Sequence, residues 1–306
     1  MLDLLVIGDA NPDVLLFGAP GTPAYGQAET LVEQGILALG GSAAIVAHGA
    51  ARLGLAVGFA AMVGRDAAGD FVLDELKSAG VDISACVRHE SLPTALTVCL
   101  NRDDGDRAIL TAQGCLAAFG PEHVPDVAAR HLHAASYFLQ PRLAAGLPEL
   151  FRSARGDGVS TSLDTNDDPS GAWNLPLALV SRCTFLLPNQ DEAMALTGTA
   201  DPLPVLAAAG CVPVVKTGKD GCVTLSGGER ITARPPVLAP VDTVGAGDSF
   251  DAGFLAGWLE SGDLAAALAL GAAAGALSTR GAGGVATQPT LAEAAALAER
   301  VEITRN

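Results

Sequence analysis

One stretch in the last quarter of the chain decides the fold, and it reads Pro240-Val241-Asp242-Thr243-Val244-Gly245-Ala246-Gly247-Asp248-Ser249-Phe250, followed by Asp251-Ala252-Gly253-Phe254-Leu255-Ala256-Gly257-Trp258-Leu259. From Phe250 onward, apolar residues recur at helical spacing, so the Gly-Ala-Gly segment is predicted to lie at a helix N-terminus. The first N–H groups of a helix have no partner within it, and small residues let a ligand approach them. We therefore predict that Gly245, Ala246, Gly247 and Asp248 form an anion hole, which would stabilise charge on a transferring phosphoryl group.

Asp248 is the candidate general base of this site. It lies in the predicted first turn of the helix, where the helix dipole favours the charged form, so we expect a carboxylate at neutral pH. An ionised carboxylate beside an anion hole can accept the proton of an attacking hydroxyl. On this fragment alone an alternative stays open, in which Asp248 only caps the helix and the glycines only form a tight turn.

The rest of the chain alternates short β-rich runs with helical patterns rich in alanine and leucine. Such alternation is typical of βαβ units, and it predicts an α/β fold with a mainly parallel central sheet flanked by helices. Residues 42–53 and 67–79 are predicted helices, each followed by a glycine. The runs expected to form strands are Leu2–Ile7, Val57–Val63, Ala134–Leu139, Ser160–Asp164, Phe185–Pro188 and Val212–Thr217.

Two segments, about 13–37 and 87–111, break this alternation. The second contains two predicted strands, Ala95–Asn101 and Arg107–Thr111, joined by a turn over 102–106. We predict that both segments form a small β-sheet lid over a site, with a plain surface hairpin as the alternative. Because the chain shows no internal repeat and no low-complexity linker, residues 1–306 are predicted to form a single domain.

Charge and composition exclude several classes of function. The 306 residues include 18 Lys and Arg against 34 Asp and Glu, which gives a formal net charge of −16. Such a charge repels nucleic acids and anionic membranes. No run reaches the roughly 18 apolar residues of a membrane span, and Met1–Gly8 lacks the basic region of a signal peptide. We expect a cytoplasmic protein that binds neither nucleic acid nor membrane, with its six cysteines reduced and buried.

The segment from Asp242 to Phe250 resembles the signature D-T-x-G-A-G-D-x-F of the ribokinase-like, or PfkB, carbohydrate kinases, and every fixed position matches. The family's other signature resembles Gly40-Gly41-Ser42 and the helix after it, and the resemblance spans about the whole chain. It implies a ribokinase-like fold with a small β-sheet lid. It also implies ATP-dependent transfer of the γ-phosphoryl group to a hydroxyl of a small sugar, with Asp248 as general base and the 245–248 amides as anion hole.

The resemblance further implies which residues bind each substrate. Asn11 and Asp13 match positions that bind the acceptor in the family, although on sequence alone they would be turn residues. Gly40, Gly41 and Asp248 are the other implied acceptor-binding positions.

For the nucleotide and its cations, the implied residues follow three further motifs. Asn189 and Glu192 match an N-x-x-E element that acts on Mg²⁺ through water, which suits an ion that dehydrates reluctantly. A helix cap formed by Asn189 is the alternative, and both can hold together. Asp242 is implied as a contact for a monovalent cation such as K⁺. The nucleotide itself is expected to contact Asn189, Thr217, Gly218, Gly221 and Gly247.

One position departs from the family. Ile45 stands where the family usually has an asparagine that bonds a sugar hydroxyl, which argues against a ribose acceptor bound in the ribokinase manner. A nucleoside kinase of the same family and a ligand-binding pseudokinase stay open as alternatives. A phosphosugar acceptor would need a basic contact, for which Arg102, Arg107 and Arg142 are candidates. Lids of this family often pair between subunits, so a homodimer is expected.

Overall fold

The computed structural model describes residues 1–102 and 106–306. The helices in this part of the chain are α1 Ser42–Arg52, α2 Ala67–Ser78, α3 Pro141–Gly156, α4 Leu177–Val180, α5 Gln190–Thr197, α6 Leu203–Ala208, α7 Ala246–Ser261, α8 Leu264–Ser278 and α9 Leu291–Ala298. The strands are β1 Leu2–Ile7, β2 Asn11–Phe17, β3 Gln34–Gly40, β4 Val57–Ala60, β5 Met62–Gly64, β6 Val87–His89, β7 Leu96–Asn101, β8 Arg107–Ala112, β9 Ala129–Ala134, β10 Ser160–Leu163, β11 Phe185–Leu186, β12 Val212–Lys216, β13 Cys222–Ser226, β14 Glu229–Arg234 and β15 Glu302–Arg305.

The centre of the molecule is a nine-stranded sheet in the order β15-β14-β13-β12-β11-β10-β9-β1-β4. The six strands from β12 to β4 run parallel, and β13, β14 and β15 continue the sheet antiparallel. In β1, Leu4 and Val6 belong to one buried apolar cluster, whereas Leu5 and Ile7 belong to another. Both faces of the sheet are therefore covered, and the predicted α/β fold with a mainly parallel sheet is confirmed.

A four-stranded sheet in the order β3-β2-β7-β8 is separate from the central one, and it is called the small sheet from here on. Its pairs β2/β3 and β7/β8 are antiparallel, and β2/β7 is parallel. The predicted segment 87–111 begins too early, because Val87–His89 pairs instead with Met62–Gly64. Residues 103–105 of the predicted turn lie outside the described residues. The assignment of 1–306 to a single domain stays a prediction.

The strand predicted over Ala134–Leu139 is wrong, since β9 covers Ala129–Ala134 and Tyr137–Leu139 is a short 3₁₀ turn. The strand ends before Ser136, whose φ of 56° is incompatible with extended backbone. The strand was not predicted over residues 129–134 because β9 buries polar residues, which do not read as an apolar run. His131 and His133 bond to Ser162 on β10, each at 2.7 Å.

Two predictions from composition concern the cysteines and membrane-spanning helices. All six cysteines are free, five of them are buried, and Cys86 is half-buried, which agrees with the predicted thiols. None of the described helices has both the length and the apolar character that crossing a bilayer requires.

Candidate active site

A cleft of about 1500 Å³ opens at the carboxyl ends of the parallel strands, between the central sheet, the small sheet and the N-terminus of α7. Ligands of open α/β sheets bind at this edge. The cleft brings together most of the site residues predicted from sequence: Asn11, Asp13, Gly41, Asn189, Glu192, Gly218, Gly221, Gly245, Ala246, Gly247 and Asp248.

Three predicted site residues, Gly40, Thr217 and Asp242, lie behind the described lining of the cleft. A β-carbon at Gly40 would come within 1.9 Å of Asp13 Oδ1, so glycine leaves room for the Asp13 carboxyl. Thr217 N–H donates to Gly221 O at 2.8 Å and closes the turn. Asp242 accepts the N–H groups of Val244 and Gly283, at 3.0 and 2.9 Å. These residues therefore shape the loops, and the K⁺ contact of Asp242 stays a prediction.

The anion hole is predicted at the N-terminus of α7. Gly245 is the N-cap, with a φ of 69° in the left-handed region, and its carbonyl accepts Ser249 N–H at 2.9 Å. Ala246 N–H donates a hydrogen bond to Thr243 O at 3.3 Å, in the turn before the helix. The N–H groups of Gly247 and Asp248 remain without an intrahelical partner, and both residues line the cleft. The hole thus rests mainly on these last two amides.

Asp248 is only 8% exposed, and this burial decides its charge. Desolvation, together with the negative charge of Asp164 and Asp9, raises the pKa of Asp248 to about 8, although Lys216 acts in the opposite direction. The prediction that the helix dipole keeps Asp248 ionised at neutral pH is therefore wrong for the protein without bound substrates. Loss of water around the carboxyl outweighs the dipole, which acts only over the first turn.

The acceptor end of the cleft is lined by polar side chains of the small sheet. Asn11 and Asp13 lie within β2, so their interpretation as turn residues is wrong. Asn11 Nδ2 donates to Asp13 Oδ1 at 2.8 Å and to Thr97 Oγ1 at 3.1 Å, and Thr97 bonds in turn to Thr111. Burial and the nearby Asp9 raise the pKa of Asp13 to about 7. This row of donors and acceptors suits a ligand rich in hydroxyls.

At the other end, Asn189 and Glu192 form a capping box on α5. Asn189 Oδ1 accepts Glu192 N–H at 2.9 Å, and Glu192 Oε2 accepts Asn189 N–H at 2.9 Å. Burial raises the pKa of Glu192 to about 7. No three His, Cys, Asp or Glu side chains converge as a metal cage within 1–102 and 106–306. Carboxyl and amide oxygens are of the kind that Mg²⁺ contacts through its water ligands, and the contact of this pair with Mg²⁺ stays a prediction.

Several residues of the cleft were not predicted as site residues. Lys216 lines it and bonds to Asp164 Oδ2 at 2.7 Å. The end of the cleft away from the small sheet is covered by a mainly apolar surface, in which α8 contributes small side chains. This surface consists of Pro235, Pro236, Val237, Leu238, Ala272, Gly275, Ala276 and Thr279. The only sequence signal for it was the alanine- and glycine-rich pattern of α8, which equally indicates a buried helix.

Of the three arginines considered for a phosphosugar, the described lining of the cleft includes only Arg107. Its side chain is 32% exposed, and its Nη1 lies 3.7 Å from Asp242 Oδ1. Arg142 instead pairs with Glu122 and is more than half exposed. Arg107, on β8, is therefore the one of these three arginines that lines the described part of the cleft.

Comparison with known proteins agrees with this geometry. Residues 1–291 match the pfkB family carbohydrate kinases. The chain is 35% identical to an ATP-dependent ribose-1-phosphate kinase of Halopiger xanaduensis, over 99% of this chain and 100% of that protein. The chain therefore belongs to the PfkB family of carbohydrate kinases, and it is a phosphotransferase that acts on sugars or nucleosides.

Solved structures agree on the fold. An Arabidopsis thaliana ribokinase complexed with ribose and ATP superposes with a TM-score of 0.86 at 24% identity, over 97% of this chain and 99% of that one. An adenosine kinase from Sinorhizobium meliloti gives a TM-score of 0.83 at 26% identity, over 98% and 99% of the two chains. The ribokinase-like fold predicted from the glycine signature is confirmed.

Proposed function

We propose that this protein transfers the γ-phosphoryl group of ATP to a hydroxyl of a small sugar, with Asp248 as the general base. The observation that carries the proposal is the buried Asp248 carboxyl at the α7 N-terminus, beside the free N–H groups of Gly247 and Asp248. The acceptor oxygen forms a bond to the γ-phosphorus as its proton passes to Asp248. The bond from that phosphorus to the β-phosphate oxygen breaks, and its electron pair leaves with ADP.

The other residues of the cleft position the two substrates. Asn11 and Asp13 orient the acceptor, and the apolar surface at α8 receives the base of the nucleotide. Mg²⁺ bound with ATP would neutralise charge on the phosphates, and Asn189 and Glu192 would hold its water ligands. The small sheet covers the acceptor as a lid and excludes water, which otherwise competes as a phosphoryl acceptor.

Among small sugars, the cleft favours one that already carries a phosphate, and ribose 1-phosphate is our first choice. Arg107 offers a guanidinium on the acceptor side, and guanidinium groups bind phosphate oxygens in pairs. Ile45 also lines this region and offers no hydrogen bond to a sugar hydroxyl, so the phosphate must supply the missing binding energy. The similarity to a ribose-1-phosphate kinase supports the same choice.

Replacing Arg107 by glutamine is expected to raise the KM for ribose 1-phosphate by about 10- to 100-fold, since a hydrogen bond to a charged group contributes about 1.5–3 kcal/mol. Activity with free ribose should change less than threefold. The measurement is ADP release with each acceptor.

The matched control is Arg142→Gln, because Arg142 lies outside the described lining of the cleft and should leave both acceptors unaffected. Equal effects of Arg107→Gln on ribose and ribose 1-phosphate would overturn the assignment. Turnover of adenosine but of no sugar phosphate would favour the nucleoside kinase, and no turnover of any acceptor would favour the pseudokinase.

We also propose that the protein is a homodimer paired through the outer face of the small sheet. Thr97, Thr111 and Asp13 face the cleft, so side chains one position away in each strand face outward. These outward residues are apolar: Val14, Leu16, Leu37, Leu96, Val98, Leu100 and Leu110. Leu37 and Leu110 are 55% and 57% exposed, and an apolar sheet face of this kind is typical of an interface.

Leu110→Glu is expected to convert the dimer to a 30.7 kDa monomer in sedimentation velocity at micromolar concentration. A buried, unpaired carboxylate costs several kcal/mol at an interface, which is enough to dissociate it. Val205→Glu, at an equally apolar and 49% exposed position on α6, should leave the mass unchanged. A wild-type protein that sediments as a monomer would refute the proposal.

A further inference from the structure

Beneath the anion hole lies a group of three charged residues, Asp164, Lys216 and Asp251, here called the Lys216 triad. Lys216 Nζ lies 2.7 Å from Asp164 Oδ2 and 3.2 Å from Asp251 Oδ2. Asp164 follows β10, Lys216 ends β12, and Asp251 lies on α7 three residues after Asp248. All three residues are at least nine-tenths buried. The triad therefore joins the central sheet to the helix that carries the proposed base.

The ammonium of Lys216 lies close to the predicted anion hole. A β-carbon placed on Gly247 would lie 3.5 Å from Lys216 Nζ, so the ammonium is next to the first turn of α7. Lys216 also lines the cleft, where its side chain is 11% exposed. Among the cleft residues described, the other cations are Arg107, Lys219 and Arg234, all more exposed than Lys216. Lys216 is the buried cation at this point.

The ammonium is accessible from the cleft through the 11% of the Lys216 side chain that is exposed. Burial raises the pKa of Asp251 well above its ordinary value. Burial acts on Asp164 in the same direction, but Lys216 outweighs it and the pKa of Asp164 is lowered. Lys216 Nζ donates to Asp164 Oδ2 at 2.7 Å and lies farther from the two Asp251 carboxyl oxygens, at 3.3 and 3.2 Å. The short contact is therefore the one to Asp164, and the ammonium borders the cleft on its exposed side.

Stability alone does not explain such an arrangement. Desolvation of buried ions costs several kcal/mol, and well-packed apolar residues of similar volume are often as stable. A buried ion group at the edge of a cleft is therefore a candidate for function.

We propose that Lys216 is a further catalytic residue, whose ammonium contacts the transferring phosphoryl group from beneath Gly247. Lys216 keeps its proton throughout, since the proton of the acceptor passes to Asp248 and the leaving electron pair stays on ADP. Its positive charge supports the negative charge on the equatorial oxygens. Asp164 and Asp251 are positioning residues that hold the ammonium in place. This inference rests on the proposed kinase function.

The test compares a single variant with a double variant that removes both charges, because Lys216→Met alone leaves the buried Asp164 carboxylate without its partner and endangers folding. In Asp164→Asn the ammonium remains, and kcat is expected to fall by less than about tenfold. In Asp164→Asn/Lys216→Met the ammonium and its carboxylate are both removed, and kcat is expected to fall by about 100-fold or more, as for a lost oxyanion-hole donor. The KM for ATP should stay within threefold.

Activity is expressed per folded molecule, with circular dichroism and melting temperature measured for each variant. Lys77→Met, at an exposed lysine of α2 outside the described lining of the cleft, serves as control and should retain wild-type kcat. If the double variant does not fold, Asp164→Asn/Lys216→Gln replaces it, since it also removes both charges but keeps a polar side chain at position 216.

Equal kcat in the single and double variants would overturn the role of Lys216 while leaving the kinase intact. An inactive wild type would instead refute the proposed function, and the inference with it.

Discussion

Replacing Asp248 by asparagine is expected to lower kcat by about 10³- to 10⁴-fold, because a positioned general base contributes up to that factor. Asparagine matches the shape of aspartate but cannot accept the proton of the acceptor hydroxyl. Binding should change little, so the KM for ATP should stay within a few-fold. The measurement is ADP release across a panel of free sugars, nucleosides and sugar phosphates.

The control is Asp263→Asn, at the exposed N-cap of α8, whose Oδ1 accepts Ala266 N–H at 2.7 Å. Asparagine caps a helix as well as aspartate does, so this variant should keep wild-type activity. Equal activity of wild type and Asp248→Asn on the best acceptor would exclude Asp248 as the base.

The pH profile gives the same prediction a second readout. Since Asp248 must lose its proton to act, and its pKa is raised to about 8, kcat/KM should rise with pH through this value. The Asp248→Asn variant should lack this limb. The stability of the fold depends on pH in the opposite direction. Because the pKa of Asp248 is raised above its unfolded value of about 3.9, protonation of this group stabilises the fold fully below about pH 3.9, and the stabilisation is lost as pH rises through about 8. Asp248→Asn should therefore melt at a higher temperature than wild type at pH 8.5.

Features fixed by local rules were predictable from sequence. The glycines before α7, the apolar spacing after Phe250 and the alternation of strands and helices depend on neighbours a few residues apart. The sequence therefore predicted the sheet type, and it placed the glycines and Asp248 at the helix N-terminus that lines the cleft. The β9 strand was missed because its buried His131 and His133 hydrogen-bond to Ser162 on β10, a pairing that no local pattern indicates.

The site features that escaped depend on residues far apart in the chain. Lys216 meets Asp164 and Asp251 across separations of 52 and 35 residues. The charge of Asp248 was misjudged for the same reason. The helix dipole is a local quantity, whereas desolvation and the fields of Asp164, Asp9 and Lys216 come from other elements of the fold. Only the assembled cleft shows which contribution is larger.

Gly245→Ala is expected to lower kcat/KM by about 10²- to 10³-fold, the range for loss of one oxyanion-hole donor. Gly245 has a φ of 69°, which costs an alanine about 1–2 kcal/mol. Its added β-carbon would also lie 2.6 Å from Gly284 Cα and 2.9 Å from Gly284 O, so backbone must move. That movement displaces the start of α7 and the amides of Gly247 and Asp248. Steady-state kinetics and thermal melting measure both effects.

Gly247→Ala is the matched control, because it adds the same methyl group two residues later. Gly247 is already helical, and the new β-carbon would meet only Lys216, with Nζ at 3.5 Å, the end of a flexible side chain. This variant should fold normally and lose about tenfold in kcat/KM, through crowding of the ammonium alone. If Gly245→Ala were the more active of the two, the anion hole would not depend on the left-handed turn at Gly245, and the phosphoryl group would have to be held elsewhere in the cleft.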